Sequence, residues 1–337
     1  MKTKVAFIGF RHPHIWDVVD RMRNRQDVQI VACCEEDAAA REAVARDGRV
    51  KITHTDYGKM LEEVDCEAVV VGDWFGKRGR IAVDALRMGR HVLSDKPLCT
   101  SIQELDKIQK LSHDGTCVVG MMLDLRDSGV FIGLHDLVRR GAIGEIRAVS
   151  FGGQHPLLPD SRPSWYHEEG RQGGTINDIS VHGIDAVSWI TGLGYRRVVA
   201  ARVWKSGPPA GSHLLNAGQF MLEMENGAGL VADVSYLSPD SQGYTLPMYW
   251  RMTFWGGKGV LEAGLTSKEI TIWREGEKTG FAIPPAEPRP GGYLESFLHA
   301  VRGEDGVLIP SADAFLASRI ALKAQEAADK GLCGVIL

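Results

Sequence analysis

Three side chains in the sequence are suited to proton transfer. Asp178 and His182 are four residues apart, and on a helix this spacing places them on one face. A carboxylate beside an imidazole can orient the ring and hold its proton, which the oxidation of a hydroxyl to a carbonyl requires. Lys96 follows a short apolar run and precedes Pro97, which restricts Lys96 to extended conformations. Acid–histidine pairs at the spacing of Asp178 and His182 are common on helix surfaces, and lysines are common on any protein surface. A purely structural interpretation of these residues therefore stays open.

The first apolar run covers residues 5–8, and the turn that follows it begins at Gly9. In dinucleotide-binding proteins the turn at this place has the pattern G-x-G-x-x-G. Gly9 fits the first glycine, but Arg11 and His14 occupy the positions of the second and third. A guanidinium matches phosphate oxygens, so Arg11 can replace the lost backbone contact. We expect Gly9, Phe10, Arg11 and His12 to contact a dinucleotide, and the alternative is an ordinary strand-to-helix turn.

His12 and His14 also raise the question of a metal site. Neither has a carboxylate or thiolate as a direct neighbour in the sequence. Two imidazoles alone make a poor metal site, so we expect no metal.

Three consecutive acids, Glu35 to Asp37, follow the second apolar run. An acid at this place, roughly 20 residues beyond the glycine turn, accepts hydrogen bonds from the adenosine ribose, and we choose Glu35 for that role. The acids would repel a 2′-phosphate, and no arginine stands close enough in the sequence to hold one, so we expect NAD rather than NADP. A solvated turn of charges is the alternative.

The elements that must position these residues alternate between strands and helices over the first ~120 residues. This pattern predicts a doubly wound, Rossmann-type parallel sheet with Lys96 at the carboxyl end of a strand. From residue 123, two helices precede a series of alternating strands, which predicts an α+β domain with a large open, mainly antiparallel sheet. A chain of 337 residues exceeds the usual size of one core. We therefore expect two domains, 1–122 and 123–337, with the last helices able to pack back on the first domain.

Composition narrows the class of partner. The net charge of −4 gives no attraction for nucleic acid or an anionic membrane, so a small molecule is favoured. The first apolar run is too short for a signal sequence or a membrane span. The six cysteines lack C-x-x-C spacing and are expected to be reduced, which predicts a cytoplasmic protein.

Three segments resemble the Gfo/Idh/MocA family, which includes glucose-fructose oxidoreductase and inositol dehydrogenase. Asp95, Lys96 and Pro97 resemble the family's E-K-P signature, with aspartate for glutamate. Residues 173–189 resemble its G-G-x-x-x-D-x-G-x-H-x-x-D-x-x-x-W stretch, with Ser180 in place of glycine. Residues 255–262 resemble its later strand-turn-strand element. The resemblance covers nearly the whole chain.

This resemblance implies an NAD(P)-dependent oxidoreductase that moves a hydride between nicotinamide and a carbinol carbon of a sugar, cyclic polyol or sugar derivative. It implies that Lys96 and His182 transfer the proton and that Asp178 binds the substrate hydroxyl. The further expected cofactor contacts are Asp73, Trp74, Asp95 and Lys96, although residues 73–78 depart from the family's usual Thr-Pro-x-x-x-His. The alternatives are an NAD-dependent glycoside-cleaving enzyme that oxidises its substrate transiently, and a non-catalytic ligand-binding member.

Two further expectations concern partners. His155, Trp165 and Tyr166 are candidates for contact with a sugar, because aromatic rings stack on sugar faces and polar tips bind hydroxyls; they can equally fill the seam between domains. Trp250, Met252 and Phe254 alternate along one strand face, so we expect them to pack against another subunit in a homodimer or homotetramer.

Overall fold

The computed structural model describes residues 2–208 and 210–337, which divide into two compact units. Unit 1 contains residues 2–122, Gly170–Gly173 and Tyr293–Phe315. Unit 2 contains Leu123–Glu169, Gly174–Gly292 and Leu316–Leu337. The chain therefore changes units more often than a single division after residue 122 would allow. No helix in the described part of the chain is both long and apolar enough to cross a membrane.

A parallel sheet forms the centre of unit 1. Its strands are β1 (Thr3–Ile8), β2 (Val28–Cys34), β3 (Ala68–Val71), β4 (His91–Ser94) and β5 (Val119–Met121), in the order β2-β1-β3-β4-β5. Its helices are α1 (Ile15–Arg23), α2 (Ala38–Asp47), α3 (Tyr57–Glu63), α4 (Phe75–Arg87), α5 (Ile102–Asp114) and α8 (Gly292–Arg302). The strands are almost wholly buried apolar runs, as a sheet covered by helices on both faces requires. The predicted doubly wound parallel sheet is confirmed.

Unit 2 contains a larger sheet. Its strands are β6 (Ile146–Pro156), β7 (Tyr195–Trp204), β8 (Ala217–Met224), β9 (Gly229–Ser238), β10 (Met252–Gly256), β11 (Gly259–Ala263), β12 (Ile270–Arg274), β13 (Phe281–Ile283) and β14 (Val335–Ile336). Their order is β13-β12-β11-β10-β6-β9-β8-β7-β14, and only the β6–β9 pair is parallel in the described residues. The helices are α6 (Gly129–Arg139), α7 (Thr175–Thr191) and most of α9 (Ser311–Lys330), and α6 and α7 pack on the sheet. The predicted open, mainly antiparallel sheet is confirmed.

One expectation about this sheet is wrong. Trp250, Met252 and Phe254 are buried within the chain, so they do not form a surface for another subunit. Alternation along a strand separates its two faces but does not tell which face the chain's own helices cover. The exposed large apolar side chains of the sheet include Val231 and Trp255.

Candidate functional site

The turn after β1 packs tightly against the loop after β3. Gly9 has a φ of +81°, and a Cβ atom there would lie 2.6 Å from Asp73, so glycine is required. The backbone N–H groups of Arg11 and His12 both donate to the Gly72 carbonyl, at 3.2 Å. The Phe10 ring packs beside Trp16, with centroids 5.3 Å apart. The turn thus keeps its shape without the second and third glycines, because its N–H groups bond to the neighbouring loop.

At the turn that lacks the second and third glycines, the side chains of His12 and His14 form a network with the buried Asp95. His12 Nδ1 lies 2.5 Å from Asp95 Oδ2, and His14 Nδ1 lies 3.1 Å from Asp95 Oδ1. Burial lowers the pKa of His12 well below its ordinary value, so its imidazole is neutral and donates to the carboxylate. Burial alone would raise the pKa of Asp95, but Arg78 and His12 outweigh it and hold that pKa well below its usual range. Asp95 is therefore ionised.

A carboxylate does lie beside the two histidines in the folded chain. Asp95 supplies the carboxylate that the sequence around His12 and His14 lacks, and the three residues bring possible ligand atoms within 4.8 Å of one another. However, the Arg78 guanidinium donates to Asp95 Oδ2 at 2.8 Å, and a second cation there would be repelled. We therefore assign the cluster to hydrogen bonding.

Arg78 also fixes the segment that contains Lys96. Arg78 is fully buried, and its Nε donates to the Asp73 carbonyl at 2.7 Å while Nη1 donates to the Lys96 carbonyl. The Lys96 side chain is buried, with Nζ 5.8 Å from the centroid of the Phe75 ring. Sequence reasoning missed Arg78, because its role depends on how α4 packs beside β4.

The three acids after β2 have different environments. Glu35 is 1% exposed and accepts from the Phe10 N–H at 2.7 Å and the Asp37 N–H at 2.9 Å. Burial raises the pKa of Glu35. Asp37 caps α2 by accepting from the Ala40 N–H. Glu36 is the acid whose carboxylate pairs with Lys77 Nζ, at 2.5 Å.

A cleft of about 760 Å³ in unit 1 is large enough for a nucleoside. Its lining includes Glu36, Tyr57, Trp74, Lys77 and Arg80. The acids therefore do have basic neighbours. Lys77 and Arg80 come from α4, and Arg41 of α2, four residues beyond Asp37, donates to the Glu36 carbonyl at 2.7 Å. Arg11, at the glycine turn, lies 3.6 Å from the carboxylate of Asp37.

In unit 2, Asp178 and His182 lie on α7 as predicted. Asp178 is buried and its Oδ2 accepts from the Tyr236 hydroxyl. His182 Nδ1 lies 3.4 Å from Asp124 Oδ1, and its ring centroid is 5.7 Å from that of Trp250. Sequence reasoning missed Tyr236. Its position near the end of β9 fixes which face of that strand it lies on, but not that it would meet Asp178.

The backbone at the start of α7 requires glycine at position 174, the second glycine of the pair Gly173-Gly174. Gly174 has a φ of +99°, and a Cβ atom there would overlap Gln325. The Gln325 Oε1 accepts from the Ile176 N–H at 2.9 Å, so it caps the helix. Further along α7, Asp185 pairs with Arg126 and is structural in this arrangement.

The predicted substrate contacts also lie in unit 2. The His155 ring packs edge-on against Tyr249 at 5.2 Å and Tyr236 at 6.0 Å between centroids. Trp165 and Tyr166 stack on each other at 4.3 Å and are each 1% exposed. The structure thus brings His155 and Tyr166 beside Tyr236, whose hydroxyl reaches Asp178.

Comparisons with known proteins identify the family to which the chain is similar. The family profile described as "Oxidoreductase family, NAD-binding Rossmann fold" matches residues 3–122, and the "GFO/IDH/MocA C-terminal domain" profile matches residues 131–262. The chain is 27% identical over 307 residues to dTDP-3,4-didehydro-2,6-dideoxy-alpha-D-glucose 3-reductase of Saccharopolyspora spinosa, over 85% of this chain and 83% of that protein. It is 25% identical over 218 residues to inositol 2-dehydrogenase of Ralstonia nicotianae, over 63% of this chain and 61% of that protein.

The fold is also found in solved structures. A Thermotoga maritima protein described as an oxidoreductase matches with a TM-score of 0.86 at 25% identity, over 99% of this chain and all of that one. With both family profiles matched in order along the chain, the resemblance stated from the motifs is confirmed. The chain belongs to the Gfo/Idh/MocA family of NAD(P)-dependent oxidoreductases.

Proposed function

We propose that the chain is a dehydrogenase or reductase that transfers a hydride between nicotinamide and a carbinol carbon of a sugar, cyclic polyol or sugar derivative. The observation that carries this proposal is the buried hydrogen bond from Tyr236 to Asp178, with the buried His182 one turn along the same helix. Two relatives support it, because one is named for a deoxysugar and the other for inositol.

Each residue has a definite role in this proposal. Nicotinamide, when bound, supplies the hydride acceptor or donor. Lys96 and His182 transfer the hydroxyl proton, and Asp178 accepts a hydrogen bond from the substrate hydroxyl. Tyr236 holds the Asp178 carboxylate, while Arg78 holds the backbone of Lys96.

We propose NAD rather than NADP as the cofactor, bound by the turn of Gly9, Phe10, Arg11 and His12 with Asp73, Trp74, Asp95 and Lys96. The acidic residues after β2 support this choice. Glu36 pairs with Lys77 in the cleft, so this lysine is already neutralised and offers less attraction to a 2′-phosphate. Glu35 remains our candidate for the ribose contact.

The test is turnover with NAD and a panel of inositols, aldoses, glycosides and sugar acids, followed by NADH absorbance. Lys96→Ala and His182→Asn should each lower kcat/KM by about 100-fold or more, because each removes a proton-transfer group. Lys268→Ala, on an exposed lysine, is the matched control. Turnover that is unchanged in both variants would contradict the assigned roles. Product formation without NADH accumulation would instead indicate transient oxidation and bond cleavage.

We also propose that the chain forms a homodimer or homotetramer through the exposed face of the unit 2 sheet. Large apolar side chains on this face, such as Met221, Val231, Trp255 and Trp273, are 41–50% exposed. Light scattering should give a dimeric or tetrameric mass, and Trp255→Glu should reduce it; a monomeric wild-type protein would contradict the proposal.

The six free cysteines, five of them buried, support a cytoplasmic location.

A further inference from the structure

A cation lies between two tyrosine rings in unit 2. The guanidinium carbon of Arg162 is 4.9 Å from the ring centroid of Tyr166 and 5.0 Å from that of Tyr236. Its Nε donates to the Leu157 carbonyl at 3.0 Å and its Nη2 to the Pro156 carbonyl at 2.8 Å. These contacts fix the plane of the guanidinium, since each ring and each carbonyl constrains it from a different side.

The charge of Arg162 has no close counter-ion. Within residues 2–208 and 210–337, no carboxylate oxygen lies within 4.0 Å of its guanidinium nitrogens. Two buried arginines of the chain are paired with carboxylates: Arg78 with Asp95 at 2.8 Å, and Arg126 with Asp185. Arg162 differs from both, because it is half-buried and has no carboxylate within 4.0 Å in the described part of the chain.

Arg162 nevertheless remains a cation. Burial would lower the pKa of its guanidinium, but Tyr166, Tyr244 and the more distant Asp178 carboxylate raise that pKa above its ordinary value. The side chain is only partly covered, so part of its surface faces solvent. The site therefore offers a fixed positive charge that a small anion can reach.

Tyr236 connects this cation to the proton-transfer residues. One face of its ring packs on Arg162, while its hydroxyl donates to Asp178. An oxyanion on Arg162 would place the rest of the same molecule beside Asp178. A guanidinium binds carboxylate and phosphate oxygens through parallel hydrogen bonds. Arg162 would therefore select both the negative charge of the substrate and the end of the molecule that carries this charge.

We propose that Arg162 binds an oxyanion of the substrate, so that the enzyme prefers a sugar or polyol with a carboxylate or a phosphate over a neutral one. This inference rests on the proposed function, because it assigns the substrate class of the same site. Arg162 is a specificity residue in this account, and the hydride and proton steps are unchanged.

The test is calorimetric binding of glucose, glucuronate and glucose 6-phosphate to the protein with NAD present. These probes share one ring and differ in the group at one carbon. Wild-type protein should bind one of the anions at least about tenfold more tightly than glucose, and the preferred anion tells carboxylate from phosphate. Arg162→Gln should abolish that preference and Arg162→Lys should retain part of it, since lysine keeps the charge but loses the fork.

Arg251→Gln is the matched control, because Arg251 is 51% exposed and pairs with Glu262. It should keep the full preference. Wild-type protein that binds neither anion more tightly than glucose, or a preference that survives in Arg162→Gln, would overturn the proposal. Unchanged NADH affinity in each variant shows that the protein is folded. Binding through Arg162 without hydride transfer to or from any substrate would contradict the proposed function while leaving the anion site standing.

Discussion

His12 and Asp95 are 83 residues apart in the sequence, yet their side chains share a buried 2.5 Å contact. The contact joins the turn after β1 to the residue just before Lys96. Because Arg78 donates to the same carboxylate, the network connects the expected cofactor turn with an expected proton-transfer residue. A disturbance at His12 should therefore affect both.

The pH dependence of stability should reflect His12. Its pKa is lower in the folded protein than in the unfolded chain, because burial disfavours the charged ring. Its contribution to stability is therefore complete above the ordinary histidine pKa and is lost as pH falls below about 6.5, by up to ~1.4 kcal/mol per pH unit. Urea unfolding from pH 8 to pH 5 should show a steeper loss in wild-type protein than in His12→Gln. His113→Gln, where the side chain is 88% exposed, should follow the wild type; the same slope in His12→Gln and wild type would refute this origin.

Removal of Arg78 should be strongly destabilising. Arg78→Met would leave the Asp95 carboxylate buried without its strongest counter-charge, at a cost of about 3–5 kcal/mol. Arg80→Met, two residues along α4 with a side chain 77% exposed, should change stability by less than about 0.5 kcal/mol. Urea unfolding of both variants at neutral pH checks the difference, and equal effects would show that the buried pair is unimportant.

Gly9→Ala should weaken NADH binding by about tenfold or more. The added methyl group would meet Asp73 at 2.6 Å, and the residue has a positive φ, so the turn must move. Gly89→Ala is the matched control, because Gly89 also has a positive φ but has no atom within 4 Å of the added position. It should lose only about 1 kcal/mol of stability and keep its NADH affinity. Titration of both variants with NADH decides the matter; a normal affinity in Gly9→Ala would separate this turn from the cofactor.

Tyr236→Phe should lower kcat/KM by about tenfold to 100-fold without changing NADH affinity. The substitution removes the hydroxyl that donates to Asp178, so the carboxylate is less well held. Tyr195→Phe is the matched control, because it removes another buried tyrosine hydroxyl, which donates to the Ile184 carbonyl at 2.6 Å. If steady-state kinetics show equal losses in the two variants, Tyr236 acts through stability alone.

The fold could be predicted from the sequence because it depends on local patterns. Apolar runs alternating with helices define the parallel sheet, and the change of pattern after residue 122 marks the second sheet. The placement of Asp178 and His182 on one helix face could likewise be predicted, because both residues belong to the same helix.

The partners of those residues could not be predicted, because they come from other elements. Arg78 reaches Asp95 from a neighbouring helix, and Tyr236 reaches Asp178 from a strand 58 residues away. The sequence also offered no rule for which face of β10 is covered, so Met252 and Phe254 were assigned to the wrong side. Such choices depend on packing between elements, which periodicity within one element does not contain.

The most direct test of the account is calorimetric titration of the purified protein with NADH and with NADPH, because every assigned role depends on a nicotinamide cofactor bound by a turn that lacks two glycines. We predict saturable binding of NADH and clearly weaker binding of NADPH. No binding of either nucleotide would contradict the central claim and leave the site in unit 2 without its reaction partner.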